Sequence, residues 1–428
     1  MIKEKVFWHD TVEMPSGYDK NLLLEKVDVA VIGGGYTGLS AALTLAKRGV
    51  SVAVLEADSI GWGASSRNGG MVLTGLKIPM QTAIKRYGRE VARRLFQCSL
   101  DSIVTVEQIC KEERINCGFA RTGHLLTANK PRHYELLADE VEFMAKEFNH
   151  AVKLVPRSEQ RAEIGTDLYF GALVDEVSAG VNPAQYVSGL AAAAEKAGAS
   201  LHARARVIRL KRREKRFFVE TERGSLTAEN VFVGTNGYTD AAITGLHRKI
   251  MPIGSFIIAT KPLSAELAHE LSPHNRMIFD FKHFLNYFRL SDDNRMIFGG
   301  RAAFFPENER TVRQSADILR REMVAVYPRL RDVEVEYAWG GTLGFAFDLM
   351  THVGETDGMY YSLAYAGHGV AMGTYLGKTV AESMLDGTIK EHPFASFPFP
   401  GAPLRLYNGT PWFLPMVGAW HKFLDVIE

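Results

Sequence analysis

The pattern Gly33-x-Gly35-x-x-Gly38 constrains the chain most, because the residues on both sides of it already have a shape. Before it, the apolar run VDVAVI from Val27 fits a strand buried on both faces of a parallel sheet. After it, Leu39, Leu43 and Ala46 recur on one helical face, and the pattern stops at Gly49. Residues 51–56, SVAVLE, form a second buried strand. The result is a strand, helix, strand unit with an expected right-handed crossover. There the first glycine permits a tight turn, the second lets backbone approach a pyrophosphate, and the third allows close helix packing. The helix N-terminus adds partial positive charge.

Glu56 closes the second strand about 20 residues beyond Gly35, where a carboxylate accepts hydrogen bonds from a ribose diol. It would repel a 2′-phosphate, so NADP is disfavoured and FAD and NAD remain. A second glycine loop, GWGASSRNGG, follows at once, and Gly367-His368-Gly369 leads into a late helix over 371–386. Such a helix N-terminus suits the negative charge that develops at the N1–C2=O edge of a reduced flavin.

The rest of the chain organises around this unit. Residues 1–26 read as a polar and aromatic arm, 27–80 as the first part of a dinucleotide domain, and 81–180 as a largely helical segment of a substrate domain. Residues 181–245 return to the first domain through a helix over 183–198, a hairpin and the buried strand NVFVGTNG. Over 246–338, GSFIIATKPL, LNYFRLS and RMIFGGR are alternating strands beside the helix RQSADILRREMVAVY. They predict an inserted α+β domain with a mixed or antiparallel sheet. Residues 339–390 complete the first domain, and 391–428 form a tail.

Composition narrows the function. Lys plus Arg number 50 against 49 for Asp plus Glu, so no net field favours a polyanion, and nucleic acid is not an expected partner. The basic run from Arg204 to Arg216 reads as a solvated hairpin. The three cysteines Cys98, Cys110 and Cys117 have neither disulfide nor zinc spacing, and no metal is expected. No secretory signal or spanning segment is evident, which points to a cytoplasmic protein.

VAVIGGGYTGLSAALTLAKRG, the strand ending VLE, and GWGASSRNGGMV together resemble the FAD-dependent amine and D-amino-acid oxidase family, in particular its gamma-glutamylputrescine oxidoreductase-like branch. LNYFRLS, FGGR, WGG and AGHGV follow in the family's order, so the resemblance covers nearly the whole chain. It implies a Rossmann-like FAD domain and a substrate domain whose sheet roofs the flavin. A neutral amine would give hydride to flavin N5, the imine would hydrolyse, and oxygen would reoxidise the flavin with release of hydrogen peroxide.

The resemblance assigns Gly33, Gly35, Gly38 and Glu56 to the adenosine diphosphate, with Tyr36, Thr37 and Ala57 beside them. It assigns Ala64, Ser65, Ser66, Arg67, Asn68, Gly69 and Gly70 to the loop by the flavin ring, and Val207 to the adenine through its backbone. Thr235, Asn236 and Gly237 line the return to the sheet; Gly367, His368, Gly369, Val370, Ala371 and Met372 form the closing turn. Tyr287, Arg289 and His368 are the catalytic candidates, and Arg301, Trp339 and Phe345 the substrate contacts.

Three departures from the family matter. No cysteine stands near Leu343 to Phe345 and no histidine near Ser65, so FAD should be noncovalent. GTLGFAFD lacks the arginine that holds an α-carboxylate, which favours a polyamine-derived or N-substituted amine. Met296 or Ile297 stands where sarcosine oxidases carry an oxygen-activating lysine, which leaves a dehydrogenase that serves a quinone or partner subunit as one alternative; a non-catalytic flavoprotein subunit is a separate one.

Overall fold

The computed structural model describes residues 2–243, 245–282, 285–300, 309–402, 407–414 and 416. The glycine unit forms as its sequence dictates: strand Lys26–Ile32, helix Tyr36–Lys47, strand Val52–Leu55. Gly33 has φ of +104°, a value suited to glycine. A Cβ on Gly38 would lie 1.9 Å from the Gly33 carbonyl oxygen, so any side chain there would push the helix off the strand.

Lys26–Ile32 is central in the first sheet, parallel both to Val52–Leu55 and to Gly224–Val233. The order is His352–Thr356, Met359–Leu363, Gly224–Val233, Lys26–Ile32, Val52–Leu55, Ser200–His202. On one face, helices Tyr36–Lys47, Pro183–Lys196, Gly369–Asp386 and Arg89–Glu112 bury Leu39, Leu190, Leu376 and Val106. The hairpin Val207–Arg213 and Arg216–Thr221 extends this sheet, its arginines exposed and paired with acids, as in Arg209 with Glu220 and Arg216 with Glu229.

The second sheet runs Val335–Phe345, Met251–Thr260, Met296–Gly300, Asn286–Leu290, Met277–Asp280, His124–Thr127, Gly171–Asp175, Lys153–Pro156. Only the Met277–Asp280 and His124–Thr127 pair is parallel, so the sheet is mixed. Strand alternation divides its faces. Phe256, Ile258, Phe288 and Phe298 pack with Leu319 and Met323 of the Glu309–Val326 helix. Ser255, Ile257 and Tyr287 face the other way, into a cavity.

The fold class read from the sequence is the one observed. Two regions differ in detail. The 81–180 segment contains helices Met80–Tyr87, Arg89–Glu112 and Pro131–Phe148 but also gives three strands to the second sheet. The N-terminal arm packs into the interior: Val6, Phe7 and Trp8 are buried against Ile257, Ile297 and Trp339. Among the described residues, no helix is long and apolar enough to cross a membrane.

Candidate active site

Two helices aim their N-termini into one crevice. Tyr36–Lys47 and Gly369–Asp386 lie side by side, tied by the Ser40 hydroxyl donating to the Thr374 carbonyl at 2.7 Å, while Thr37 Oγ1 is 2.8 Å from the hydroxyl of Tyr365, just ahead of the second helix. The Tyr36 amide donates to Ser65 Oγ at 3.0 Å. The amides of Thr37 and Gly38, and those of Gly369, Val370 and Ala371, have no acceptor among the described residues. Helix ends leave such donors free for an anion or a carbonyl.

Glu56 stands at the crevice floor. Its carboxylate accepts the Gly34 amide at 2.7 Å and the Asp58 amide at 2.9 Å. Burial pushes its pKa above the usual carboxylate value, against the pull of the Asp58, Gly34 and Ala57 amides. A carboxylate has about four acceptor positions, so two remain for a diol.

The crevice, about 250 Å³, is lined by Gly33, Gly35, Tyr36, Thr37, Glu56 and Ala57, then by Ala64, Ser65 and Asn68. Val207, Thr235, Asn236, Gly367, Gly369 and Val370 complete the expected set. Tyr238, Asp240 and Tyr365 also line it, though the sequence reading did not single them out, and so does Arg206, which that reading assigned to a solvated hairpin. Gly38, Ser66, Gly70, Gly237, Ala371 and Met372 are buried and do not themselves line either cavity, although the Gly38 and Ala371 amides belong to the two helix ends. Ser66 Oγ is 2.8 Å from His9 Nε2.

A second cavity, about 300 Å³, adjoins the first and shares Ala64, Asn68, Leu343, Gly367 and Val370 with it. Arg67, Gly69, Tyr287 and His368 line it, together with Ser255, Ile257, Phe279, Leu285 and Gly341. Tyr287 Oη is 3.1 Å from Ser255 Oγ. His368 is held down to about 4 by burial and then by Lys77 and His124, so its ring is neutral near pH 7. Thr74, Lys77 and His124 form a further stretch of wall that no motif announced.

Four expected contacts are corrected or fall outside. Arg289 shares a strand face with Tyr287, but its guanidinium is buried behind the wall, donating to the Gly70 and Val181 carbonyls at 3.1 and 3.2 Å. Burial lowers its pKa to about 10, so it stays charged, and it reaches the loop at Gly70 rather than the cavity. Trp339, Gly341, Leu343 and Phe345 alternate onto one face, yet only Gly341 and Leu343 reach the cavity. The Trp339 indole donates to the Arg67 carbonyl at 2.8 Å, and Phe345 is covered by Met251, Ile253, Tyr407 and Leu414. Arg301 lies outside the described residues.

This arrangement is that of a flavoenzyme, and the chain belongs to the FAD dependent oxidoreductase family, whose model matches residues 28–383. It is 32% identical over 379 residues to the gamma-glutamylputrescine oxidoreductase of Escherichia coli K12, covering 87% of this chain and 88% of that one. It is also 32% identical over 368 residues to a probable oxidoreductase OrdL of Haemophilus influenzae, covering 85% and 84%. In fold it is similar to glycine oxidase from Geobacillus kaustophilus, with a TM-score of 0.73 at 20% identity over 89% of this chain and 100% of that one. The protein is therefore an FAD-dependent oxidoreductase. The residues present fit the cofactor: free amides at two helix ends, a carboxylate with acceptor positions left open, and a glycine turn. None of Cys98, Cys110 and Cys117 lines either cavity, in keeping with noncovalent FAD.

Proposed function

We propose that the protein oxidises the free amine of an N-substituted or N-acylated diamine, with FAD held by Gly33, Gly35, Gly38, Glu56, the Ala64–Gly70 loop and the turn at Gly367–Met372. The observation that carries this reading is the junction of crevice and cavity through Ala64, Asn68, Leu343, Gly367 and Val370. When bound, FAD would supply a two-electron acceptor for hydride from the carbon beside a neutral amine nitrogen; the imine would then hydrolyse to aldehyde and ammonia, with oxygen as the final acceptor and hydrogen peroxide as its product.

The chain's own residues bind and orient the substrate. Ile257, Leu285, Phe279 and Leu343 exclude water around an alkyl chain. Tyr287, tied to Ser255, offers a fixed hydroxyl to the reacting nitrogen. Neutral His368 adds no charge that would oppose an amine entering as its ammonium form. The cavity-facing positions of the Val335–Phe345 strand are Gly341 and Leu343, which give an α-carboxylate no cation there. The relatedness to a gamma-glutamylputrescine oxidoreductase supports the same substrate class.

Anaerobic mixing of the yellow protein with gamma-glutamylputrescine, N-acetylputrescine, putrescine, sarcosine and glycine tests this reading. The acylated diamines should bleach it fastest, with peroxide released in air. Tyr287→Phe should lower kcat/KM about tenfold, the scale of one lost hydrogen bond, with FAD content retained. A protein that stays yellow with every amine, or that prefers glycine, contradicts it. A second reading, transfer to an acceptor other than oxygen, is supported by the apolar Met296 and Ile297 of the Met296–Gly300 strand. Fast anaerobic bleaching with slow recovery in air would select it.

A further inference from the structure

His124 opens the strand His124–Thr127, two places from the Tyr287 strand in the sheet, and lines the substrate cavity beside Phe279, its ring centroid 5.1 Å from that of Phe279. The FAD crevice does not include it. Its Nδ1 is 2.8 Å from Ser178 Oγ, and that oxygen also accepts the Thr74 amide at 3.1 Å. The remaining partner for the Ser178 hydroxyl proton is His124 Nδ1, so the neutral ring carries its own proton on Nε2. Among the described residues Nε2 has no partner, and it lies on the side of the ring away from Ser178.

The support behind this contact is rigid. The Thr74 hydroxyl donates to Asp175 Oδ2 at 2.7 Å, and His150 Nε2 meets the same oxygen at 2.8 Å. The Val177 amide donates to Asp175 Oδ1 at 2.9 Å. Burial alone would raise Asp175, but His150, the nearby His124 and Thr74 outweigh it and hold the carboxyl down to about 2. Thr74 is thereby fixed at both amide and hydroxyl, and Ser178 can turn its proton only toward His124. Burial also lowers the His124 pKa, which keeps the ring in the neutral form that this tautomer describes.

We propose that His124 is a specificity-determining residue whose Nε2–H donates to an acceptor oxygen, amide or carboxylate, carried by the substrate beyond its reacting amine. Lys77 lines the same stretch of wall. An amine of equal length without the oxygen would leave a desolvated N–H without an acceptor, which is the costly half of a hydrogen bond. The inference deepens the amine-oxidase reading and, for its catalytic arm, rests on it.

Two measurements separate the two. In the first, wild type, His124→Leu, His124→Gln and Ser178→Ala are compared on N-acetylputrescine and on heptylamine, which has the same length without the oxygen. Wild type should favour the acylated amine by about tenfold or more in kcat/KM, the size expected for one hydrogen bond. His124→Leu should bring the ratio close to one, and His124→Gln, which keeps a donor, should restore part of it. Ser178→Ala frees the ring to carry its proton on Nδ1 and should also lower the ratio; it serves if His124→Leu does not fold.

In the second, N-pentylacetamide, which has the oxygen but no oxidisable amine, is titrated against the flavin absorption of each holoprotein. Its Kd should rise about tenfold in His124→Leu. His124-dependent binding of the amide with no amine oxidised would end the amine reading and leave this inference standing. Amine oxidation with a ratio unchanged in His124→Leu and Ser178→Ala, or a wild type that binds no amide, would overturn it.

Discussion

The Trp8 indole donates to the Asn68 carbonyl at 2.9 Å, joining the N-terminal arm to the loop that borders both cavities. His9 Nε2 to Ser66 Oγ at 2.8 Å and the Trp339 indole to the Arg67 carbonyl at 2.8 Å hold the next residues in the same way. Three successive loop residues are thus fixed by aromatic side chains that sequence order places far away. Asn68 in turn donates to the Ala64 and Ser65 carbonyls and accepts the Gly70 amide, which folds the loop onto itself. Trp8→Phe keeps most of the packing and removes the hydrogen bond. FAD affinity should fall about fivefold to tenfold, for a loss near 1 kcal/mol. Fluorescence titration of the apoprotein with FAD measures this; equal affinities would make the arm a bystander.

Glu56→Gln replaces a carboxylate oxygen with an NH2 group that faces either an amide N–H or the ribose. Two charge-assisted hydrogen bonds are weakened on the protein side alone, each worth about 1.5–3 kcal/mol. FAD affinity should drop about a hundredfold or more, and the purified variant should be pale and regain colour only at high FAD concentration. Full retention of FAD through gel filtration would remove Glu56 from the cofactor site.

His368 predicts a pH effect whose direction follows from its environment. Burial, then Lys77 and His124, hold the folded-state pKa down to about 4. The unfolded chain takes up this proton near about pH 6.5. The neutral ring's contribution is therefore complete above that value and is lost as pH falls toward 4, by about 3 kcal/mol at most. Urea unfolding of the apoprotein at steps from neutral to acid pH should show wild type losing stability faster than His368→Asn. Parallel curves would mean that His368 is solvated.

The parts of the site that depend on local order were readable. Gly33, Gly35 and Gly38 sit where strand, turn and helix put them, and Glu56 follows from the length of the unit. The parts that depend on pairing across the chain were not. The parallel pairing of His124 with Met277 brings together residues more than 150 positions apart, and no periodicity within either strand encodes that register. Lys77, Thr74 and His124 consequently carried no signal. Tyr287 and Arg289 do share a face, as alternation requires, but what covers that face changes over two residues: open cavity above Tyr287, the Gly70 and Val181 carbonyls above Arg289. Trp339 and Phe345 differ from Leu343 for the same reason, since a strand of 11 residues outruns the cavity at both ends.

The most direct measurement is the anaerobic bleaching rate of the holoprotein with gamma-glutamylputrescine, against the same compound carrying deuterium on the carbon beside its free amine. The account predicts rapid loss of the flavin's visible band, slowed several-fold by deuterium and slowed again in Tyr287→Phe. Bleaching at the same rate with both isotopic forms, or a band untouched by either, would contradict it.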